Sequence, residues 1–219
     1  MQRNVANTVI GLVAFMALLL GLLVHRVLSP TMLTPEQLNE NGLFVYELPR
    51  RFSSFSLIDQ DGQPFTQEWF KGKWSFVFFG YTYCPDICPV TMATLRQFQQ
   101  QLRDVDEEAA AATQVAFISV DPQRDTPEKL KQYVSYFGED YVGATGEYID
   151  VFNFARQVNI AFGYQPQGDD GSYLVNHSGE VILINPEGHF HGFFKTPQDP
   201  GKMALTFRSV FASWRATKP

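Results

Sequence analysis

The sequence predicts an α/β domain, a central mixed sheet flanked by helices, behind a single N-terminal transmembrane helix. Three observations carry that expectation: an uncharged apolar run near the start, buried strands alternating with helices after it, and a strand-turn-strand return before a closing helix. The expected boundaries are an anchor over residues 1–28, a linker over 29–43 and the folded domain over 44–219.

The anchor is "TVIGLVAFMALLLGLLV", Thr8 to Val24, free of charge, proline and strongly polar side chains. At ~1.5 Å rise per residue it sits at the short end of what crosses a bilayer. A core helix of a soluble protein would show a polar face, which this run lacks. A cleaved signal would end in a small-x-small site, whereas "VHRVLSPTM" follows. Arg3 on one side and His25 with Arg26 on the other leave orientation undecided by the positive-inside count. The Arg- and Ser-rich leader of mitochondrial import is missing, which favours a bacterial protein. Ser29 to Leu43 has prolines, Thr, Asn and Glu without apolar periodicity, as a linker would.

"FSLIDQDGQPFT" reads as two short strands around a turn at Asp61-Gly62. "WSFVFFGYTY", Trp74 to Tyr83, is a continuous β-branched and aromatic run, the mark of a central strand buried on both faces. A helix follows Pro85 and Pro89, with an apolar stripe at Val90, Leu95, Phe98 and Leu102. Gln114 to Asp121 is a second buried strand. Asp125 or Thr126 then caps a helix that has Pro127 in its first position and Glu128 near its positive end. "YIDVFNFARQVNIAFG" is another helix; "SYLVNHSGEVILINPEGHFHGFF" is strand, turn, strand, turn, strand; "DPGKMALTFRSVFASWRAT" closes the chain as a helix. That order is a thioredoxin-like plan, with the cysteines where the first buried strand hands over to its helix.

With 219 residues and a net charge of −6, the chain suits one good-sized domain and lacks the basic face that nucleic acid requires. No fixed-period repeat and no low-complexity tract occurs. Its two cysteines, Cys84 and Cys88, stand in "FGYTYCPDICPVTM". A helix N-terminus favours thiolate over thiol. Cysteines four apart on one turn place their Cα atoms ~6 Å apart, inside the ~4.4–6.8 Å a disulfide tolerates. Left reduced, the same sulfurs grip a soft ion. Local geometry permits a disulfide, a redox pair and a metal clamp, and does not choose among them. A static bridge across so short a loop would stabilise little. A dithiol oxidoreductase usually has two residues between its cysteines, where this chain has three. A peroxiredoxin places Thr three residues before its reactive Cys, where Thr82 lies two before Cys84.

Three blocks, "GYTYCPDICPVTM", "SVDPQRDTPEKL" and "NHSGEVILINPEG", resemble in order the signature blocks of the Sco/SenC family, membrane-anchored copper proteins of cytochrome c oxidase assembly. The resemblance implies a thioredoxin-like fold and a copper site of two cysteines and a distant histidine, here Cys84, Cys88 and His177. Two thiolates suit Cu(I), and an added imidazole gives a trigonal site that also holds Cu(II); zinc takes the same donors with a fourth ligand. A thioredoxin-like reductase carries a cis-proline beside its cysteines, whereas "LVNHSGEV" brings His177 to that loop and no proline.

Asn176 stands where the family usually has Asp, a residue that would orient the ring. Asp86 is read as a helix cap or partner contact. Asp121 and Arg124 are candidates for a place near the site, a docking surface or a plain turn. His25 flanks the anchor, and His189 and His191 are read as surface residues sharing one face, or as an accessory metal-loading pair. The implied function is delivery of copper to the CuA centre of cytochrome c oxidase subunit II, with another periplasmic copper chaperone as a possible partner. The competing functions are a thiol–disulfide reductase that keeps the CuA cysteines reduced, and a redox or copper sensor.

Overall fold

The computed structural model describes residues 2–28, 32–166 and 172–217. In chain order its elements are α1 (Gln2–Leu28), α2 (Pro35–Glu40), β1 (Leu43–Arg50), β2 (Leu57–Asp59), β3 (Pro64–Phe65) and β4 (Trp74–Gly80). Then come α3 (Ile87–Val105), α4 (Glu107–Ala111), β5 (Thr113–Ser119), α5 (Pro127–Ser135), β6 (Val142–Thr145) and α6 (Tyr148–Gln157). The chain ends with β7 (Phe162–Pro166), β8 (Tyr173–His177), β9 (Val181–Ile184), β10 (Phe190–Phe194) and α7 (Pro200–Thr217). Two compact units divide them: Leu33–Arg208 holds the sheet, and Met1–Met32 with Ser209–Pro219 forms the other.

All seven residues of β4 are buried, as its unbroken apolar run requires. It lies inside an eight-stranded sheet of order β1-β10-β9-β4-β5-β6-β2-β3. The β4–β5 and β5–β6 pairs are parallel, joined through α3 and α5; β4–β9, β9–β10 and β10–β1 are antiparallel. This is the mixed sheet flanked by helices that the alternation predicts. Alternation along β4 sends Phe76 to one face, against Phe98 of α3 at 4.6 Å and Phe207 of α7 at 5.2 Å between ring centroids. Phe79 goes to the other, 5.4 Å from Phe154 of α6, which also stacks on Phe55 at 4.1 Å. Such ring pairs contribute about 0.5–1.5 kcal/mol each beyond the area they bury.

The turn at Asp61-Gly62 forms as expected, with Gly62 at φ 74° and Leu57 paired to Phe65. Thr126, not Asp125, caps α5, its side chain accepting from the Lys129 N–H, with Pro127 in the first turn. Several expectations change. The linker holds the six-residue α2 because Thr34 and Gln37 form a reciprocal capping box around Pro35, and Leu38 is buried. The α3 stripe runs through Cys88, Met92, Leu95, Phe98 and Leu102, while Val90 is 59% exposed. β8 does not pair with β9, because both edges of β9 are taken by β4 and β10; it pairs antiparallel with β7 in a separate two-stranded sheet, His177 opposite Phe162.

α1 is long and apolar enough over Asn7–Val24 to cross a membrane, by length and composition, and no part of that window is buried. Residues 29–31 of the expected linker, and the side chains of Arg3, His25 and Arg26, lie outside the described residues.

Candidate metal centre

β4 ends at Gly80, where the surrounding groups leave no room for a side chain. A Cβ there would lie 2.7 Å from Cys88 Sγ and 2.9 Å from Phe117 Cε2. The chain then turns away, the Cys84 N–H donating to the Tyr81 carbonyl at 3.2 Å, and α3 begins at Ile87. Cys88 falls in the first turn of α3 and is buried; Cys84 precedes the helix and is half-buried. The expectation that both cysteines share a helical turn therefore changes, since only Cys88 is helical. Both thiols are free.

Asp86 is the N-cap residue of α3, but its exposed side chain makes no capping hydrogen bond, so the expected capping role is corrected. The reason lies in what the helix N-terminus faces. A cap accepts from the second or third helical N–H, but the third residue is Pro89, which has none, and the main-chain N–H groups of Asp86 and Cys88 favour the anionic form of Cys84 instead. The neighbouring Cys88 sulfur is the largest influence pulling the Cys84 thiol down to about 3, with His177 acting the same way and burial opposing both. Cys88 moves the other way, pushed up by burial and by its neighbour Cys84. The half-buried Cys84 is therefore the more acidic thiol and the buried Cys88 the less acidic.

The third group arrives from β8. His177 Nε2 lies 3.3 Å from Cys88 Sγ, and the ligand atoms of Cys84, Cys88 and His177 all fall within 4.8 Å of one another. The other ring nitrogen, Nδ1, is 3.0 Å from the Ser178 carbonyl. A carbonyl accepts and cannot donate, so Nδ1 bears a hydrogen, and Nε2 is the ring atom turned toward the sulfurs. Phe78 and Tyr81 meet the ring edge-on, with centroids at 5.7 and 6.0 Å. Asn176 is exposed, on the opposite side of the strand from His177, so the orienting role expected of that position belongs to the Ser178 main chain.

Asp121 is fully buried and ion-paired to Arg124 Nε, whose Nη1 donates to the Tyr173 carbonyl at 3.0 Å. These two side chains are built into a turn that also braces β8. Sequence reading missed Asp125 in any role but capping. It is wholly buried and accepts from Thr82 N–H at 2.9 Å, Thr82 hydroxyl at 2.6 Å and Ser119 hydroxyl at 2.7 Å, tying the cysteine loop to β5. The available signal was Thr126 before Pro127, a sufficient cap that leaves Asp125 for another purpose. His189 and His191 are corrected from surface residues to half-buried ones: His189 lies 3.3 Å from Glu187, and His191 packs edge-on to Trp74 at 4.9 Å, its pKa lowered by burial to about 4.

The SCO1/SenC family profile matches residues 47–212, three quarters of the chain. The chain belongs to the SCO1/SenC family. A protein of Stutzerimonas stutzeri named as a putative copper-binding protein is 34% identical over 160 residues, 73% of this chain and 76% of that one. The mouse mitochondrial SCO2 homologue is 32% identical over 165 residues, covering 75% of this chain and 64% of its own length. Arabidopsis thaliana ScoI, solved with copper bound, superposes with a TM-score of 0.66 at 31% identity, covering 73% of this chain and 97% of that one. The fold is therefore the thioredoxin-like one of this family.

Proposed function

We propose that this chain is a membrane-anchored copper chaperone that binds copper through Cys84, Cys88 and His177 and delivers it to the CuA centre of cytochrome c oxidase subunit II. The observation that carries the reading is the convergence of two sulfurs and one imidazole within 4.8 Å, with Nε2 already turned toward the sulfurs. Two soft thiolates hold Cu(I), and the borderline imidazole extends the site to Cu(II). Cys84, half-exposed, is the sulfur a recipient thiolate reaches first, so the ion passes through shared-thiolate intermediates. The copper-bound Arabidopsis relative and the copper-binding name of the Stutzerimonas relative support the cargo. The apolar Asn7–Val24 window supports single-pass anchoring, which we place in a bacterial inner membrane with the domain in the periplasm. There another periplasmic copper chaperone would load it.

The test is copper stoichiometry of the reduced full-length protein in detergent, for the native chain and for Cys84→Ala, Cys88→Ala and His177→Ala. Loss of copper in either cysteine variant, and loss of Cu(II) in His177→Ala, is the expected result. A folded His177→Ala protein that keeps full copper binding and full oxidase assembly removes His177 from the site.

A second reading rests on the unequal thiols. The Cys84 thiolate attacks a disulfide in the target and releases one target thiolate; Cys88 then attacks Cys84 Sγ and releases the second. Two electrons pass to the target, and the pair ends as a disulfide. This reductase needs no histidine, so His177→Ala separates the two readings.

A further inference from the structure

We propose that Arg124 is a positioning residue whose guanidinium latches the β7–β8 sheet to the 121–125 turn and thereby sets the Cu(II) affinity of the site while leaving Cu(I) affinity unchanged. The proposal rests on the copper reading above and concerns how its histidine is held.

β8 hydrogen-bonds to β7 and not to the eight-stranded sheet, so ladder bonds to the main sheet do not fix where His177 lies. Side chains do much of that work: Ser178 Oγ accepts from the Ala161 N–H at 3.1 Å beside His177, and a second group gathers around Arg124 at the Tyr173 end. Its Nη1 donates to the Tyr173 carbonyl at 3.0 Å, its Nε pairs with buried Asp121, and its guanidinium carbon lies 3.7 Å from the centroid of the Tyr173 ring. The Tyr173 hydroxyl closes the ring of contacts by donating to Asp121 Oδ1 at 2.7 Å. Beside it, the Tyr164 hydroxyl of β7 donates to the Val120 carbonyl at 3.0 Å. The same guanidinium carbon lies 5.5 Å from the Tyr81 ring and 5.1 Å from the Tyr83 ring, on the loop that leads into Cys84.

One cation therefore touches the turn after β5, the first residue of β8 and the cysteine loop. Tyr173 and His177 stand at opposite ends of the same strand, ~13 Å apart at ~3.3 Å per residue, so a displacement at the base is carried to the imidazole. The thiols have their own supports, the buried β4 and the Asp125 hydrogen bonds to Thr82 and Ser119, which Arg124 does not make. Lysine keeps the charge but has neither the planar face that stacks on Tyr173 nor the fork that reaches Asp121 and the Tyr173 carbonyl together.

The experiment measures Cu(I) and Cu(II) affinities by competition with chelators of known strength, together with the Cu(II)–thiolate absorption band, on the full chain in detergent. Arg124→Lys is expected to weaken Cu(II) by about 10–100-fold, as loss of a ligand's supporting contacts typically does, and to shift the band, with Cu(I) changed less than about twofold. Tyr173→Leu, which spares the Arg124–Asp121 pair, is expected to act in the same direction and decides by the same criterion if Arg124→Lys does not fold. In the double variant Arg124→Lys/His177→Ala, Cu(II) is expected to bind no more weakly than in His177→Ala alone, because both changes act through one ring. Equal losses of Cu(I) and Cu(II), or no loss of either while His177→Ala weakens Cu(II), overturn the latch. If His177→Ala leaves Cu(II) binding intact, the ligand assignment itself falls, and the latch falls with it.

Discussion

Cys88 is held by the β4–α3 unit, where every residue of β4 is buried between two strands and a Cβ at Gly80 would collide with the sulfur. His177 ends β8, where one residue of five is buried and the partner strand belongs to a two-stranded sheet. The thiol side is fixed by close packing, which responds to a change of one methyl group. The imidazole side is fixed by hydrogen bonds and a stacked guanidinium, which can be altered without opening the core. On the proposed ligand set, a site assembled this way would let the two-sulfur and the three-ligand states be tuned separately.

The largest expected effect comes from attacking the packed side. Gly80→Ala forces Cys88 or Phe117 to move, at a cost of about 1–3 kcal/mol, and should weaken copper binding in both oxidation states. Chemical denaturation and copper titration read the two effects; native stability with native affinity would end the view that close packing sets the thiol position. Next in size is a contrast between the two sulfurs. Cys84 is an acid already ionised well below neutrality, so its alkylation by iodoacetamide should stay nearly constant from ~pH 8 down to ~pH 5, whereas an ordinary thiol slows about tenfold per pH unit. Cys88, shifted upward and buried, should remain unmodified throughout. Peptide mapping of the labelled protein settles which sulfur reacts, and preferential labelling of Cys88 would reverse the assignment. The smallest effect is expected at Asn176. Restoring the carboxylate usual in the family, Asn176→Asp, should change Cu(II) affinity by less than about twofold, because the exposed side chain does not orient the ring. A larger gain would return that orienting role to residue 176.

These regions also differ in how far they could be read from residue order. β4, β5 and the helices after them were legible because each has a long apolar run or stripe, and Thr126-Pro127 marks the start of α5 with two independent signals. β1 was not, since its eight residues include Pro49 and Arg50 and just one is buried; nor was β6, four residues with a glycine. The partner of β8 is unwritten locally, because its choice depends on β9 having both edges occupied. Within the site, the two cysteines announced themselves by position at a strand-to-helix junction. His177 did so through the resemblance of its block alone, since nothing in its own neighbourhood specifies a ligand. Asp86 misled because a carboxylate before a helix ordinarily caps it, and here the third helical residue, Pro89, has no N–H to offer while that of Cys88 favours the Cys84 sulfur.

The Ser178 carbonyl has a consequence for how such a site changes over generations. The atom that sets the bearing of the imidazole is one that every amino acid carries, so no codon change at position 178 deletes it. Drift at the neighbouring positions then reaches the ring by moving the main chain, and is otherwise silent. An inherited orientation of this kind is buffered against point substitution in a way that a carboxylate partner, one mutation from loss, is not.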